Sequence, residues 1–188
     1  PSEYYETQDY TRIYQHFKGY HIKSESPVFT PNQFTMMDFR LSYKNSTSFT
    51  YILPFSENEA LIEYTFFTPY LTEETIYDEQ LKKYISEYLK LDTYEILNEE
   101  QGIIPMTDFP FEKDNSAKIT KIGTGGGWVK ASTGYSFKHT EKKISKIIKN
   151  IKSGHKPSKD LFLRKYKFYD AIFLDVLARR NDKGEQIF

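Results

Sequence analysis

The chain has 188 residues, 26 Lys and Arg against 26 Asp and Glu, and no cysteine. A formal charge of zero offers no global field to gather nucleic acid, and a chain without thiols has no disulfide scaffold, thiolate zinc site, iron–sulfur cluster or cysteine nucleophile. Mean hydropathy is −0.65, no uninterrupted apolar run approaches the ~18 residues of a membrane-spanning helix, and the length suits one domain with a core of its own. In chain order, Pro1 rather than methionine comes first, which suggests a piece of a longer protein, and residues 1–12 are polar without a period, which predicts a loosely ordered start. Residues 13–24 alternate and stop at Ser26-Pro27, a first strand. Residues 34–43 form a second, followed by a turn at Lys44-Asn45-Ser46. Residues 48–55 form a third, with Pro54 near its end, where a missing N–H is tolerated. A tight turn at 56–59 leads back through 60–68, so 48–68 is predicted to be a hairpin.

The period then changes. Tyr77, Leu81, Tyr84, Ile85, Tyr88 and Leu89 fall at helical spacing and predict a helix over 75–91, with Thr75 and Asp78 as a capping box. Residues 93–98 and 102–106 read as strand broken near Gly102, 107–117 as a polar loop, and 118–123 as a short strand entering a glycine run. Ile144, Ile147, Ile148 and Ile151 mark a helix ending near Gly154. Pro157 and Ser158 open a last one, with Leu161, Phe168, Ile172, Phe173, Val176 and Leu177 as its apolar stripe. Strands first and helices last give an α+β fold: an antiparallel sheet with helices packed on it.

Several motifs are absent from the chain: a Walker A loop, HExxH, GxSxG and GxGxxG, with Trp128 standing where a third glycine would belong. His16 and His21 are five apart on one strand and face opposite sides, so no metal site is predicted. Glu63 lies on a strand whose two faces are both mostly apolar. A carboxylate there is either neutralised by a lysine or arginine on the next strand, or held protonated by burial, which suits a general acid. Asp38 and Arg40 share a strand face, as an ion pair or as a second acidic group near a site. Residues 122–135 run from the short strand through glycines toward a helix start, which suits close approach by a ligand or a plain flexible loop. Lys142, Lys143, Lys146 and Lys149 lie opposite the isoleucines of their helix, a face for anionic lipid or for solvent.

Read together and in order, Gln15-His16-Phe17-Lys18-Gly19, Met36-Met37-Asp38-Phe39-Arg40, Tyr51-Ile52-Leu53-Pro54, Leu61-Ile62-Glu63-Tyr64-Thr65, Gln101-Gly102-Ile103-Ile104-Pro105-Met106, the stretch from Ile122 to Phe137, and Phe168-Tyr169-Asp170 through Leu177-Ala178-Arg179-Arg180 resemble the lycopene cyclase family, in particular its flavin-dependent bacterial β-cyclases. The resemblance implies an enzyme of carotenoid biosynthesis that closes β-rings on lycopene with FAD, kept reduced by NAD(P)H, and no net redox change. The family's proposed acid, in the motif plants spell FLEET, matches Glu63, and the Asp of its FMDWR-like motif matches Asp38, with Phe39 in place of Trp. The late flavin-contacting segment matches 122–135, with Gly123, Gly125, Gly126, Gly127, Ser132, Thr133 and Gly134 as cofactor-binding residues. Family members begin with a GxGxxG flavin domain that this chain lacks. The chain therefore reads as a substrate-binding α+β domain over 13–188 from a longer protein, inactive by itself. The resemblance further implies a cytoplasmic protein in peripheral contact with a membrane, with a carotenoid and no nucleic acid as partner. Two rival readings are a related isoprenoid flavoprotein acting by redox, and a non-catalytic lipid- or protein-binding module.

Overall fold

A computed structural model describes residues 9–188, so most of the expected loose start lies outside the described residues. The chain divides into two compact units: Ile104–Arg179 with the chain up to Ile13, and Tyr14–Ile103 with Arg180–Phe188. Strands are β1 (Arg12–Lys23), β2 (Thr35–Asp38), β3 (Thr47–Pro54), β4 (Glu59–Thr68) and β5 (Glu95–Thr107). Helices are α1 (Glu74–Glu87), α2 (Phe137–Lys152), α3 (Arg164–Arg179) and the short α4 (Gly184–Ile187). The fold is α+β with an antiparallel sheet, as the order of periods predicts.

In the second unit the sheet runs β2-β3-β4-β1-β5, with antiparallel ladders β2/β3, β3/β4 and β4/β1. The 48–68 hairpin is present as β3 and β4. Alternation sends Tyr20, Ile22, Ala60, Ile62, Tyr64 and Phe66 to one face, where helical spacing returns Tyr77, Leu81, Tyr84 and Ile85 from α1. Phe66 and Tyr77 meet edge to face at 5.4 Å between ring centroids, a contact worth about 1 kcal/mol beyond its buried area.

Competing demands alter the details. The capping box does not form: the residue before α1 is Glu73, and it makes no side-chain cap. Asp78 instead accepts a hydrogen bond from the Tyr20 hydroxyl at 2.6 Å and pairs with the buried Lys18 at 2.5 Å. A buried ammonium left unpaired is costlier than a helix end that water can reach. Helix α1 stops at Glu87, short of 91, and Lys90 takes left-handed backbone at φ 58°. Strand β2 ends at Asp38 rather than 43, because Met37 has φ 55° and the ladder slips between Thr35 and Asp38. Strand β5 does not break at Gly102. A Cβ there would meet the Phe17 ring at 2.7 Å, so this glycine serves packing on its neighbour and ends nothing. The segment after Arg179 returns to β3 and β4: Thr47 N–H donates to Asn181 Oδ1 at 2.9 Å, and Asn181 Nδ2 donates to the Phe67 carbonyl at 2.6 Å.

In the first unit Ile13, Met106, Phe111, Trp128, Leu161, Leu174 and Leu177 are buried. The predicted strand at 118–123 is absent. Its donors are satisfied locally, Lys121 N–H by Asn115 Oδ1 at 2.8 Å and Ile119 N–H by Ser116 Oγ at 3.1 Å, leading to a 3-10 turn at Thr124–Gly126. No α-helix starts at the glycines; α2 begins at Phe137. Helix α3 begins at Arg164 rather than Pro157, because Asn150 Nδ2 donates to the carbonyls of Pro157 and Lys159 at 3.1 and 2.8 Å and pins that stretch as turns. On α2 the isoleucine face is not the buried one: Ile144, Ile148 and Ile151 are exposed and Asn150 is buried. Among the described residues no helix is long and apolar enough to cross a membrane.

Candidate functional site

Glu63 sits in the middle of β4, opposite Gly19 on β1 and Tyr51 on β3. Since Ile62 and Tyr64 face α1, strand alternation sends Glu63 to the other face, with Leu61, Thr65 and Phe67. Burial pushes its carboxyl up to about 7; the Thr65 hydroxyl, donating to Oε1 at 2.7 Å, works against that, and the nearby Glu100 carboxyl adds to it. Among the described residues no Lys or Arg forms an ion pair with Glu63, so the cation that one reading placed on the next strand is not there. A carboxyl with a midpoint near 7 holds a transferable proton at neutral pH.

Asp38 has a different setting and does not join Glu63. It pairs with Thr50 in the β2/β3 ladder, and Thr50 pairs with Tyr64, which puts Asp38 on the α1 face. There Arg40 grips it with Nε at 2.9 Å and a guanidinium nitrogen at 2.5 Å, and the Tyr84 hydroxyl donates at 2.5 Å. Burial alone would raise this carboxyl, but those hydrogen bonds and the Arg40 charge outweigh it and hold it below the ordinary value. Asp38 is therefore an ionised structural partner of Arg40.

The glycine segment, in the other unit, splits by role. A Cβ on Gly123 or Gly125 would meet nothing within 4 Å. A Cβ on Gly126 would strike the Lys121 carbonyl at 2.4 Å, and one on Gly127 the Phe111 ring at 2.5 Å, so these two are taken up by the fold. Ser132 Oγ donates to Asp170 Oδ1 at 2.7 Å, beside the Lys130–Asp170 ion pair. The Gly134 N–H closes a turn onto the Lys130 carbonyl at 2.9 Å, with Gly134 at φ 74°. Thr133 Oγ1 is buried without a partner. The open space at Gly123 and Gly125 and the orphaned Thr133 hydroxyl fit close approach by a ligand; Gly126, Gly127 and Ser132 fit structural roles.

The same unit holds a cavity of about 780 Å³, lined by Gly127, Phe111, Phe162, Lys130, Lys143 and Asp170 among others. Lys143, expected from the sequence on a face for anionic lipid or solvent, instead lies over the Phe162 ring at 4.0 Å, and burial pushes its ammonium down to about 8. Among the described residues no group of three His, Asp or Glu could hold a metal ion. The sequence reading also passed over Glu100 and Gly19. Their signal lies in the strand register, which brings residues far apart in the chain to Glu63.

The α+β fold has a counterpart among solved structures. A geranylgeranyl bacteriochlorophyll reductase-like protein from Thermoplasma acidophilum matches with a TM-score of 0.56 at 10% identity. The match covers 93% of this chain and 45% of that one, so the chain spans less than half of its structural neighbour, and the likeness is one of fold. A comparison with curated proteins finds no match. The family model described as lycopene cyclase protein matches residues 3–185, and the chain belongs to that family.

Proposed function

We propose that this chain is the substrate-handling part of a lycopene β-cyclase, with Glu63 as the acid that starts ring closure. The observation that carries the reading is a carboxyl pushed up to about 7, free of any cationic partner among the described residues, in a chain of the lycopene cyclase family. Glu63 gives its proton to a terminal carbon–carbon double bond, which leaves a tertiary carbocation. The neighbouring double bond attacks that cation and closes a six-membered ring, and loss of a ring proton gives the β-end group. Tyr51, across the ladder from Glu63, offers an electron-rich ring on the same face.

In the intact enzyme a bound FAD, kept reduced by NAD(P)H, would supply a further electron-rich surface for the cation without net oxidation. Gly123 and Gly125 would let it approach and Thr133 would offer a hydroxyl, while Gly126, Gly127, Ser132 and Gly134 hold the loop in shape. The chain alone, without a GxGxxG turn, is expected to purify colourless and inactive. A yellow preparation with stoichiometric flavin would contradict that. The protein is read as cytoplasmic, and the exposed Ile144, Ile148 and Ile151, beside exposed lysines of α2, support peripheral contact with the membrane that dissolves its carotenoid.

The test is lycopene conversion by the intact enzyme under reducing conditions. Glu63→Gln keeps the shape and removes the proton, so ring closure should vanish while flavin content and folding persist. Near-normal β-ring formation by a folded Gln variant would remove Glu63 from this role. The fold of the reductase-like neighbour favours one second reading, a flavoprotein that reduces an isoprenoid. Product mass separates the two, since cyclisation leaves the mass of lycopene unchanged.

A further inference from the structure

Strand β5 is separated from β4 by β1, so a β5 side chain reaches Glu63 only by crossing β1. The residue of β1 opposite Glu63 is Gly19. A Cβ on Gly19 would stand 3.1 Å from Glu100 Cγ and 3.5 Å from Glu100 Oε1, which shows that the Glu100 side chain lies directly over this glycine, toward Glu63. Any other residue at 19 would occupy the space through which the two carboxyls meet. We infer that Glu63 and Glu100 act as one carboxyl pair sharing a proton, with Glu100 as the residue that positions this proton on Glu63.

The surroundings fit such a pair. Thr65 donates to Glu63 Oε1 and leaves Oε2 to carry the proton. Tyr51 faces Glu63 from β3, and from β1 the nearest titratable group on that face is His21, engaged with Glu59 at 2.6 Å. Two carboxyls this close repel each other when both are charged, which favours a pair that keeps one proton. Glu63 is half-buried and Glu100 exposed, which places the proton on the more enclosed member. The functional part of the inference rests on the reading of Glu63 as the acid. In that reading the proton leaves Glu63 for the alkene, and the resulting pair of carboxylates takes up the proton that the ring cation releases. One proton goes out and one returns, so the pair ends each cycle as it began.

The probe is the chain with ¹³C-labelled glutamate carboxyls, titrated by NMR. Glu100→Gln should lower the Glu63 midpoint by about one pH unit, and Glu100→Lys should lower it further. Both substitutions fall at an exposed position. In the intact enzyme Glu100→Gln should move the high-pH limb of kcat down by the same amount with KM unchanged. A Glu63 midpoint that moves in neither variant overturns the pair, even if Glu63→Gln is inactive and the acid reading stands. A midpoint that moves while Glu63→Gln cyclises lycopene normally leaves the pair in place and overturns its catalytic use.

Discussion

Glu63 and Tyr64 are adjacent in β4, yet the two sheet faces they serve handle charge in opposite ways. On the α1 face charge is matched: Lys18 with Asp78 at 2.5 Å and Glu99 at 3.2 Å, Asp38 with Arg40, and a neutral His16 held by the Thr68 hydroxyl at 2.7 Å and by Tyr77. On the other face Glu63 meets a hydroxyl and a second carboxyl. The first arrangement uses ionised groups to fix the position of a helix. The second raises a carboxyl toward neutral pH, which suits a proton donor and contributes little to stability.

The sharpest way to break this comparison is to remove one carboxyl from each face in the intact enzyme. Glu63→Gln should lower kcat by about 10²–10⁴-fold. Asp38→Asn should leave turnover near normal in the protein that folds. Equal losses in the two variants would erase the distinction.

His16 sets the next largest effect. It is fully buried, and burial lowers its imidazole to about 4 from the ordinary 6.5. The unfolded chain therefore binds a proton between those values and the native chain does not. Its stability contribution is complete above pH 6.5 and is lost as pH falls through 4, a total on the order of 3 kcal/mol. Urea unfolding at pH 7 and pH 4 measures it, and His16→Gln should flatten the dependence.

Asp38→Asn should destabilise the chain at pH 7 by about 1–3 kcal/mol, since Arg40 and Tyr84 lose a charged acceptor. A carboxyl held below its ordinary 3.8 stabilises above that value and ceases to do so as pH falls through its folded midpoint. The variant and the parent should therefore converge in acid. Chemical unfolding at pH 7 and pH 2.5 is the check.

The smallest effect has the opposite sign. Glu63 is raised from 4.5 to about 7, so the folded state loses stability as pH climbs through that window. Glu63→Gln should be more stable than the parent at pH 8 by about 1 kcal/mol, a figure reduced because the side chain is only half-buried. The two should melt alike at pH 4.5. A destabilised Gln variant at pH 8 would mark Glu63 as a structural carboxylate.

Much of the sheet unit was legible because its signals are local. Alternation along 60–68 and helical spacing from Tyr77 to Ile85 specify which side chains face each other before any tertiary contact is known. Glu63 stood out for the same reason, as a carboxylate on an otherwise apolar strand. What escaped was set by distant partners. Asp78 looked like a cap until a buried Lys18 claimed it. Gly102 looked like a break, but it lies under Phe17. Residues 118–123 had strand-like alternation and no ladder to join. Glu100 gave no hint of its meeting with Glu63, because that meeting depends on the order β5-β1-β4 and on a glycine eighty-odd residues earlier in the chain.

Asn181 has a consequence for how the protein is assembled. Thr47 and Phe67 are ladder partners, and the backbone N–H of one and carbonyl of the other remain open until Asn181, with all of Ile104–Arg179 in between, comes back to take both. The hairpin can zip early from short-range contacts, but this clasp must wait for a long loop to close, and loop closure is an entropic cost met late. A contact made after the barrier governs escape from the native state more than entry into it. In a chevron plot Asn181→Ala should therefore steepen loss of the fold through the unfolding arm and leave the refolding arm almost in place, which would make Asn181 a determinant of how long the sheet unit survives rather than of how fast it forms.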